Sequence, residues 1–322
     1  MRHIIGGTFA VLMLAAALLP AAAQQAYPAK AIRIIVPLVP GGSTNNIARL
    51  VGEKLRENFG QPVIIENRPG ANSMVGTEFV ARSAPDGYTL LAQSGTHVIL
   101  PFVDPKLTFD PLKNFAPVAT LARTRYVMLS HPSVPAKTLK EFIAFAKPRP
   151  GQINFASSGT ASGSRLAGEV FNMLAGVRMQ NIPYKGGAQA LTELIGGHVQ
   201  VSFNSPNISA PHIQSKRLRG LAITGEPRLS SLPHTPTFAE AGLPGYAEMG
   251  WQGMFAPATT PRSVVDFLSA EIAKMQSARD FRDMYDKQAL EPFVSTPEQL
   301  AEMLRVETAK LTKLVKTEGI KF

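Results

Sequence analysis

Three glycine- and hydroxyl-rich segments are the parts of this chain whose residue types could bind a small ligand. Each follows a short apolar run that is typical of a buried strand. The first segment also precedes apolar residues at helical spacing, so it leads into a helix whose first turn is Ser, Thr and Asn. Such a helix start presents unpaired N–H groups and the positive end of the helix dipole, which bind anions. The segments are Gly42-Ser43-Thr44-Asn45, Ser94-Gly95-Thr96 and Ser157-Ser158-Gly159-Thr160-Ala161-Ser162.

The position of these turns at strand ends indicates that they act together. In open α/β sheets, ligands bind beyond the carboxyl ends of the strands. Three turns at such ends can therefore converge on one carboxylate through N–H and hydroxyl groups. A single Gly/Ser turn more often only connects two elements, whereas three of them in one chain favour the binding interpretation.

Three polar residues outside the hydroxyl groups are further candidates. Arg165 falls in the first turn of a predicted helix, where the dipole disfavours a cation, so it either reaches an anion or points into solvent. Its planar guanidinium suits a carboxylate. Lys185 leaves the same two possibilities. Asn204 follows an alternating strand at 199–203, and its amide either contacts a ligand or caps a turn.

Enzymatic and metal-binding interpretations have little support in this sequence. Cysteine is absent, which excludes disulfides, thiolate nucleophiles and Cys-bound metals. The histidines are scattered without a helical metal spacing, and neither a P-loop nor a G-x-G-x-x-G motif occurs. We therefore expect no catalytic residue, no metal and no cofactor. A serine hydrolase using Ser162 or Ser164 remains as a remote alternative, because Ser162 stands one place late for a G-x-S-x-G elbow.

Composition and the N-terminus bound the cellular context. Residues 1–23 read as a signal peptide, with a basic start, an apolar stretch from Ile4 to Leu19 and a small-residue cleavage site. The mature protein is thus expected in the periplasm. The formal net charge of +10 is dispersed along the chain, which argues against nucleic acid and suits anionic small molecules.

Alternating strand-like and helix-like runs predict parallel sheets flanked by helices. Three helices without intervening strands follow near the C-terminus. The length favours two α/β lobes, joined by two crossing segments, Phe115 to Ser130 and Trp251 to Pro257. The expected limits are 24–122 and 251–322 for the first lobe and 123–250 for the second.

Ordered motifs along nearly the whole mature chain resemble the Bug/TctC family, the extracytoplasmic solute-binding proteins of tripartite tricarboxylate transporters. They include Ile34-Ile35-Val36-Pro37, Pro40-Gly41-Gly42-Ser43-Thr44, Glu66-Asn67-Arg68-Pro69-Gly70-Ala71, Ala84-Pro85-Asp86-Gly87-Tyr88-Thr89-Leu90, Ala156-Ser157-Ser158-Gly159, Pro183-Tyr184-Lys185-Gly186 and Pro236-Thr237-Phe238-Ala239-Glu240-Ala241-Gly242.

The resemblance implies an α/β, two-lobed periplasmic-binding-protein ("Venus flytrap") fold with a parallel-rich sheet in each lobe. It also implies that the loops at 42–45 and 157–162 grip one carboxylate of a small-molecule ligand, and that transport requires docking on membrane permease subunits. We expect a monomer. A binding protein that reports to a periplasmic sensor instead of a permease is the alternative.

Departures from the family pattern narrow the class of ligand that we expect. The resemblance implies Asp at position 45, Asp-Asn at 204–205 and often His at 165, where this chain has Asn45, Asn204-Ser205 and Arg165. The cleft then lacks two negative charges and gains a positive one. An ammonium group would lose its partners, whereas a second carboxylate would meet less repulsion. The expected ligand is a di- or polycarboxylate without an amino group, either aliphatic or aromatic.

Overall fold

The computed structural model describes residues 27–104, 106–317 and 319–320. The predicted signal peptide, 1–23, lies outside these residues. Ten strands are described: β1 Ile32–Val36, β2 Val63–Asn67, β3 Thr89–Ser94, β4 Phe115–Arg125, β5 Val127–Ser130, β6 Asn154–Ser157, β7 Gln180–Pro183, β8 Val201–Asn204, β9 Arg219–Ile223 and β10 Met249–Pro257. Ten α-helices are described: α1 Ser43–Phe59, α2 Met74–Ala81, α3 Thr96–Val103, α4 Leu139–Ala146, α5 Gly163–Ala175, α6 Gly187–Ile195, α7 Pro206–Gln214, α8 Arg262–Ser277, α9 Arg279–Lys287 and α10 Pro297–Thr317.

Two five-stranded sheets define the two lobes. Their strand orders are β2-β1-β3-β10-β4 and β7-β6-β8-β5-β9. In the first sheet, β1 is parallel to β2 and β3, and β10 is antiparallel to both of its neighbours. The second sheet repeats this scheme, with β5 as the antiparallel strand. Four of five strands in each sheet thus share one direction, which confirms the predicted parallel-rich α/β lobes.

Helices cover both faces of each sheet. Along β1, Ile32, Ile34 and Val36 enter one hydrophobic cluster with the α1 and α8 side chains, and Ile35 enters another with α10. In the second sheet, Phe155 and Phe203 pack towards α5, and Ala156 packs towards α6. This alternation is the period of two expected for a strand that is buried on both sides. Each lobe therefore has three layers, and loops at the strand ends are left to face the other lobe.

Helix α1 shows how the sequence sets the first ligand-facing turn. Its apolar residues Ile47, Val51 and Leu55 recur every four positions and are buried against the first sheet. The helix begins after Gly42, which has extended backbone, and ends at Gly60, whose left-handed φ of 63° lets its N–H bond to the Arg56 carbonyl. Packing of the apolar face fixes where the N-terminal turn points.

The chain passes between the lobes twice, at neighbouring positions. Strand β4 ends at Arg125 and β5 begins at Val127, so Tyr126 makes the first passage. The predicted second crossing segment, Trp251 to Pro257, does not itself cross, because it pairs with β4 throughout. The return passage lies before it, between Thr237, which bridges to Ile223, and β10. The exact lobe limits stay a prediction.

Hydrogen bonds hold the connecting segments together. The backbone N–H of Tyr126 donates to Thr224 Oγ1 over 2.8 Å, and the Thr224 N–H donates to the Tyr126 carbonyl over 2.9 Å. The buried Arg125 guanidinium donates to the Pro227 carbonyl and pairs with Glu291. Among the residues described, no helix combines the length and apolarity needed to cross a bilayer.

Candidate functional site

A small cavity of about 60 Å³ lies between the lobes. Both sheets contribute to it through the loops that follow their strands, and the connecting segments close one side. The first lobe supplies Leu38, Val39, Gly42, Ser43, Thr44, Asn45, Ser94 and Thr96; the second supplies Ser158, Gly163, Ser164, Gly186, Gly187, Asn204 and Ser205; the strands next to the passages and the first passage itself supply Thr124, Gln252 and Tyr126. We call it the inner cavity.

Five helices begin at the inner cavity: α1 and α3 from the first lobe, and α5, α6 and α7 from the second. None of the five has an acidic residue in its first turn. Only α5 has a side chain at its N-cap position that caps it, because Ser162 Oγ accepts from the Arg165 N–H. The first-turn N–H groups of a helix have no intrahelical partner, so this arrangement concentrates donors and positive dipole ends around one small space.

A second, larger cavity of about 560 Å³ adjoins the first and shares Leu38, Val39, Thr96 and Ser158 with it. We call it the outer cavity. Its other lining residues are Pro37, Pro69, Gly70, Ala71, Asn72, Ser73, Gly159, Ala161, Ser162, Tyr184 and Lys185. Ala71, Asn72 and Ser73 have consecutive positive φ angles of 43°, 54° and 80°. Such left-handed runs are strained for non-glycine residues, and strain of this kind clusters at ligand sites.

The two cavities have a one-sided charge. Among the described residues that line them, none is Asp or Glu, and Lys185 is the only charged side chain. The Ser43 hydroxyl is buried and makes no hydrogen bond within the described residues. A buried hydroxyl without a partner is costly, so a guest that hydrogen-bonds to Ser43 is stabilised. The space suits an anion with several acceptor atoms.

The structure brings most of the twelve predicted site residues to one place. Eight line the inner cavity: Gly42, Ser43, Thr44, Asn45, Ser94, Thr96, Ser158 and Asn204. Ser162 lines the outer cavity, whereas Ser157, Thr160 and Arg165 line neither. Contact of any of the twelve with a ligand stays a prediction.

The two asparagines are bound within the protein. Asn45 Nδ2 donates to Asn67 Oδ1 over 2.9 Å, and Asn45 Oδ1 accepts from Arg49 Nε over 3.3 Å. Asn204 Nδ2 donates to the Gly187 carbonyl over 3.0 Å, and its Oδ1 accepts from the Ser205 N–H over 3.0 Å. Each side chain fixes a helix start at the edge of the inner cavity. For Asn204 these bonds are those of a turn cap, and its contact with a ligand stays a prediction.

The Ser158–Ser162 loop is held by a chain of hydroxyl groups. Ser164 Oγ accepts from the Ser158 N–H over 2.9 Å and lies 3.0 and 3.1 Å from the hydroxyls of Ser158 and Ser162. Ser162 also donates to the Gly159 carbonyl over 2.7 Å. These contacts shape the loop and give Ser162 and Ser164 structural partners.

Arg165 acts on the same loop rather than on either cavity. Its guanidinium donates to the Thr160 carbonyl over 3.3 Å and lies 3.8 Å from Glu169 Oε1. Burial lowers the pKa of Arg165, and burial raises the pKa of Glu169. The side chain is largely buried beside the loop and does not line either cavity. Its contact with a ligand stays a prediction, and its observed contacts hold the loop.

Several lining residues were missed in the sequence. Gly186 and Gly187 follow β7 just as Gly41 and Gly42 follow β1, so the same strand–glycine–helix pattern signals them. Thr124 and Gln252 carry no such signal, because they lie within strands β4 and β10 of the first sheet and not in a turn. Thr124 Oγ1 donates to Gln252 Oε1 over 2.7 Å, which leaves the Gln252 amide N–H groups as donors.

His97 has a structural role. It is fully buried in the first turn of α3, and Nε2 lies 2.9 Å from the Pro111 carbonyl. Its ring stacks on Phe255 with centroids 4.3 Å apart. Burial lowers the pKa of His97 to about 4, so the imidazole is neutral near pH 7. In the described part of the chain, no three His, Asp or Glu side chains gather as a metal site would need.

These features define a two-lobed ligand-binding protein whose cleft receives helix N-termini from both sides. The family model described as "Tripartite tricarboxylate transporter family receptor" (TctC) matches residues 47–320. The chain belongs to this family, which confirms the resemblance. It is a periplasmic solute-binding protein and not an enzyme.

Relatives match this chain over almost its full length. "Protein BugT" of Bordetella pertussis is 32% identical over 297 residues, which cover 92% of this chain and 91% of that protein. Rhodopseudomonas palustris Rpa4515, solved with adipate, is 31% identical with a TM-score of 0.88, covering 92% of this chain and 99% of that one. MatC from the same organism, solved with bound malate, is 30% identical with a TM-score of 0.84, covering 90% and 100%.

Proposed function

We propose that this protein captures a di- or polycarboxylate without an amino group in the cleft and delivers it to a tripartite tricarboxylate-type permease. One observation carries the ligand class. The inner cavity is lined by the N-terminal ends of five helices from both lobes, and no acidic side chain is present among its described lining residues.

The inner cavity matches a carboxylate in size and chemistry. At about 60 Å³ it admits a few water molecules or one small charged group. A carboxylate accepts several hydrogen bonds, and each charge-assisted bond contributes roughly 1.5–3 kcal/mol. The Ser43 hydroxyl and the α1 and α6 amide groups are the donors that we expect to engage it.

Absence of an amino group follows from the charges of the cleft. A ligand ammonium would need a carboxylate or several carbonyl acceptors to offset its lost hydration. The described lining residues include no carboxylate. At positions 45 and 204 the chain carries amides, and both amide oxygens already accept protein donors.

Both lobes are required for capture. A ligand shifts an open–closed equilibrium only through its differential affinity for the two states. A carboxylate held by α1 on one side and by α5, α6 and α7 on the other makes all of these contacts only when the lobes are together. The closed surface is then available to a permease.

Two neighbours support a carboxylate. Rpa4515 was solved with adipate and MatC with malate. Both ligands carry two carboxylates and neither has an amino group. We extend this class to the present chain because the donor-rich, acid-free cleft suits it.

The test of the ligand class is a thermal-shift screen over carboxylic acids followed by calorimetry. A ligand at a hundred times its dissociation constant stabilises the folded state by about 2.7 kcal/mol, which shifts the unfolding temperature measurably. We expect adipate, succinate, citrate or terephthalate to bind more tightly than aspartate and glutamate. Tighter binding of either amino acid would refute the proposed class.

The permease assignment has its own test. Deletion of this protein from its native host should abolish uptake of the identified carboxylate, and the purified protein should restore uptake by spheroplasts. Normal uptake combined with loss of a transcriptional response to the same acid would instead assign the protein to a sensory system.

A further inference from the structure

The inner and outer cavities differ in a way that indicates how a ligand lies across them. The inner cavity, about 60 Å³, has room for one head group, whereas the outer cavity, about 560 Å³, falls within the range of small-molecule sites. Leu38 and Val39 line both cavities, so a ligand anchored in the inner one passes these apolar side chains on its way outward.

A single segment also spans both spaces. Gly186 and Gly187 line the inner cavity, and the two preceding residues, Tyr184 and Lys185, line the outer one. The Lys185 backbone N–H donates to Gln189 Oε1 over 3.0 Å, which ties this segment to the start of α6. The Lys185 backbone is therefore fixed, while its long side chain is exposed at the outer cavity.

Lys185 is the only charged side chain among the described residues that line the two cavities. Leu38 and Val39 line both cavities together with Thr96 and Ser158, and Ala161 lines the outer one. The three apolar side chains suit methylene or ring atoms better than hydroxyl groups. Arg165, the other candidate cation from the sequence, lines neither cavity and serves the Thr160 carbonyl instead.

We propose that Lys185 forms a distal subsite for the second carboxylate of the ligand, with an apolar spacer lying along Leu38, Val39 and Ala161. This inference rests on the proposed capture of one carboxylate in the inner cavity. It selects dicarboxylates with a long or aromatic spacer, such as adipate or terephthalate, over succinate, whose two-carbon spacer leaves most of the outer cavity unfilled.

The test uses two ligands that differ only at the distal end. Adipate and hexanoate have six carbons each, and hexanoate replaces the second carboxylate with a methyl group. Calorimetry on the wild-type protein should show adipate binding at least tenfold more tightly than hexanoate. In Lys185→Met that preference should fall below threefold, while hexanoate affinity stays within twofold of the wild-type value.

Lys140→Met is the matched control. Lys140 is an exposed residue of α4 in the same lobe and lines neither cavity, so its loss makes the same change in net charge. It should retain the tenfold preference for adipate. Equal loss in both variants would mean that only the overall charge matters, and would overturn the subsite.

The remaining outcomes separate this inference from the proposed function. If Lys185→Met still prefers adipate tenfold, or if the wild type binds adipate and hexanoate equally, the distal subsite is wrong and carboxylate capture stands. If neither acid binds the wild type and the wider screen of carboxylates also fails, both proposals are wrong.

Discussion

Helix starts in the cleft differ from helix starts on the outer surface. The first turns of α1, α3, α5, α6 and α7 contain no acidic residue, and α2, whose preceding turn lines the outer cavity, has none either. Among the outer helices, α4, α9 and α10 each have one: Glu141, Asp280 and Glu298. Only α8 lacks it.

Capping follows the same division in part, because α4 and α10 have side-chain caps whereas α8 and α9 have none. At α4, Thr138 Oγ1 accepts from the Glu141 N–H and Glu141 Oε2 accepts from the Lys137 N–H, which is a variant of the capping box with the second bond one residue before the N-cap. At α10, Thr296 and Gln299 form the equivalent pair. In the cleft only α5 has a side chain at its N-cap position that caps it. Three of the four outer helix starts are thus stabilised by an acid and two by a side-chain cap. The cleft helices keep their N-terminal donors for a guest, at a cost that caps and acids would otherwise offset.

The largest expected loss of ligand affinity comes from placing an acidic residue at a helix start in the cleft. Ser43→Asp places a carboxylate in the first turn of α1, at the inner cavity. Two like charges about 4 Å apart repel by about 4 kcal/mol at an effective dielectric constant of 20. We expect the affinity for adipate or any other carboxylate ligand to fall more than a hundredfold in calorimetry.

The control is the same substitution at the one outer helix that lacks an acid. Ser263 is exposed in the first turn of α8. Ser263→Asp should leave ligand affinity unchanged and should stabilise the fold by roughly 0.3–1 kcal/mol in urea unfolding. Weakened binding in both variants would show that overall charge, and not position in the cleft, is responsible.

His97, in the first turn of α3, tests through pH how strongly burial in the first lobe opposes a positive charge. The unfolded chain binds a proton near pH 6.5, whereas the folded protein binds one only near pH 4, because burial lowers the pKa of His97. The contribution of the neutral imidazole is complete above pH 6.5 and is lost as the pH falls from 6.5 to 4. The loss amounts to about 3 kcal/mol.

His97→Phe isolates that contribution. Phenylalanine preserves the stacking on Phe255 and does not titrate, although it loses the contact with the Pro111 carbonyl. Between pH 7 and pH 4 the free energy of unfolding of the wild type should decrease by about 3 kcal/mol more than that of the variant. Parallel pH profiles would mean that His97 is not the responsible group.

Arg165 tests whether the loop or the ligand uses the guanidinium. Arg165→Met keeps an apolar stem but removes the donor to the Thr160 carbonyl and the charge beside Glu169. We expect a loss of about 1–3 kcal/mol in stability and less than a threefold change in carboxylate affinity. A tenfold to hundredfold loss of affinity would restore the ligand contact expected from the sequence.

Local signals account for the parts of the fold that the sequence predicted. Four of the five residues of β1 (Ile32, Ile34, Ile35 and Val36) are apolar because both faces of the strand are covered, and Ile47, Val51 and Leu55 mark the buried face of α1. The first passage between the lobes falls inside the predicted segment Phe115 to Ser130, whereas the return passage precedes the predicted segment Trp251 to Pro257. Local sequence does not show this, because the place of β10 is set by its pairing with β3 and β4.

The candidate site divides in the same way. The position of Gly42 and Ser43 at the cavity could be predicted, because a turn between a strand and the following helix lies at the carboxyl end of the strand. The role of Arg165 could not, because the choice between a ligand and the Thr160 carbonyl depends on where the chain places Glu169 and the Ser158–Ser162 loop. Gln252 lies in mid-strand, and only the meeting of the two lobes brings it to the cavity.

The smallest expected effects come from removing one cap from an outer helix, α4, and one from a cleft helix, α5. Thr138→Ala on α4 and Ser162→Ala on α5 each remove a hydroxyl that accepts a helix N–H, so each should cost about 1 kcal/mol of stability in urea unfolding. Only Ser162→Ala should also weaken adipate binding, by a few-fold in calorimetry, because Ser162 holds the loop through the Gly159 carbonyl. Equal affinities for the two variants would mean that this loop keeps its shape without the cap, and that the cleft and outer helix starts differ in charge alone.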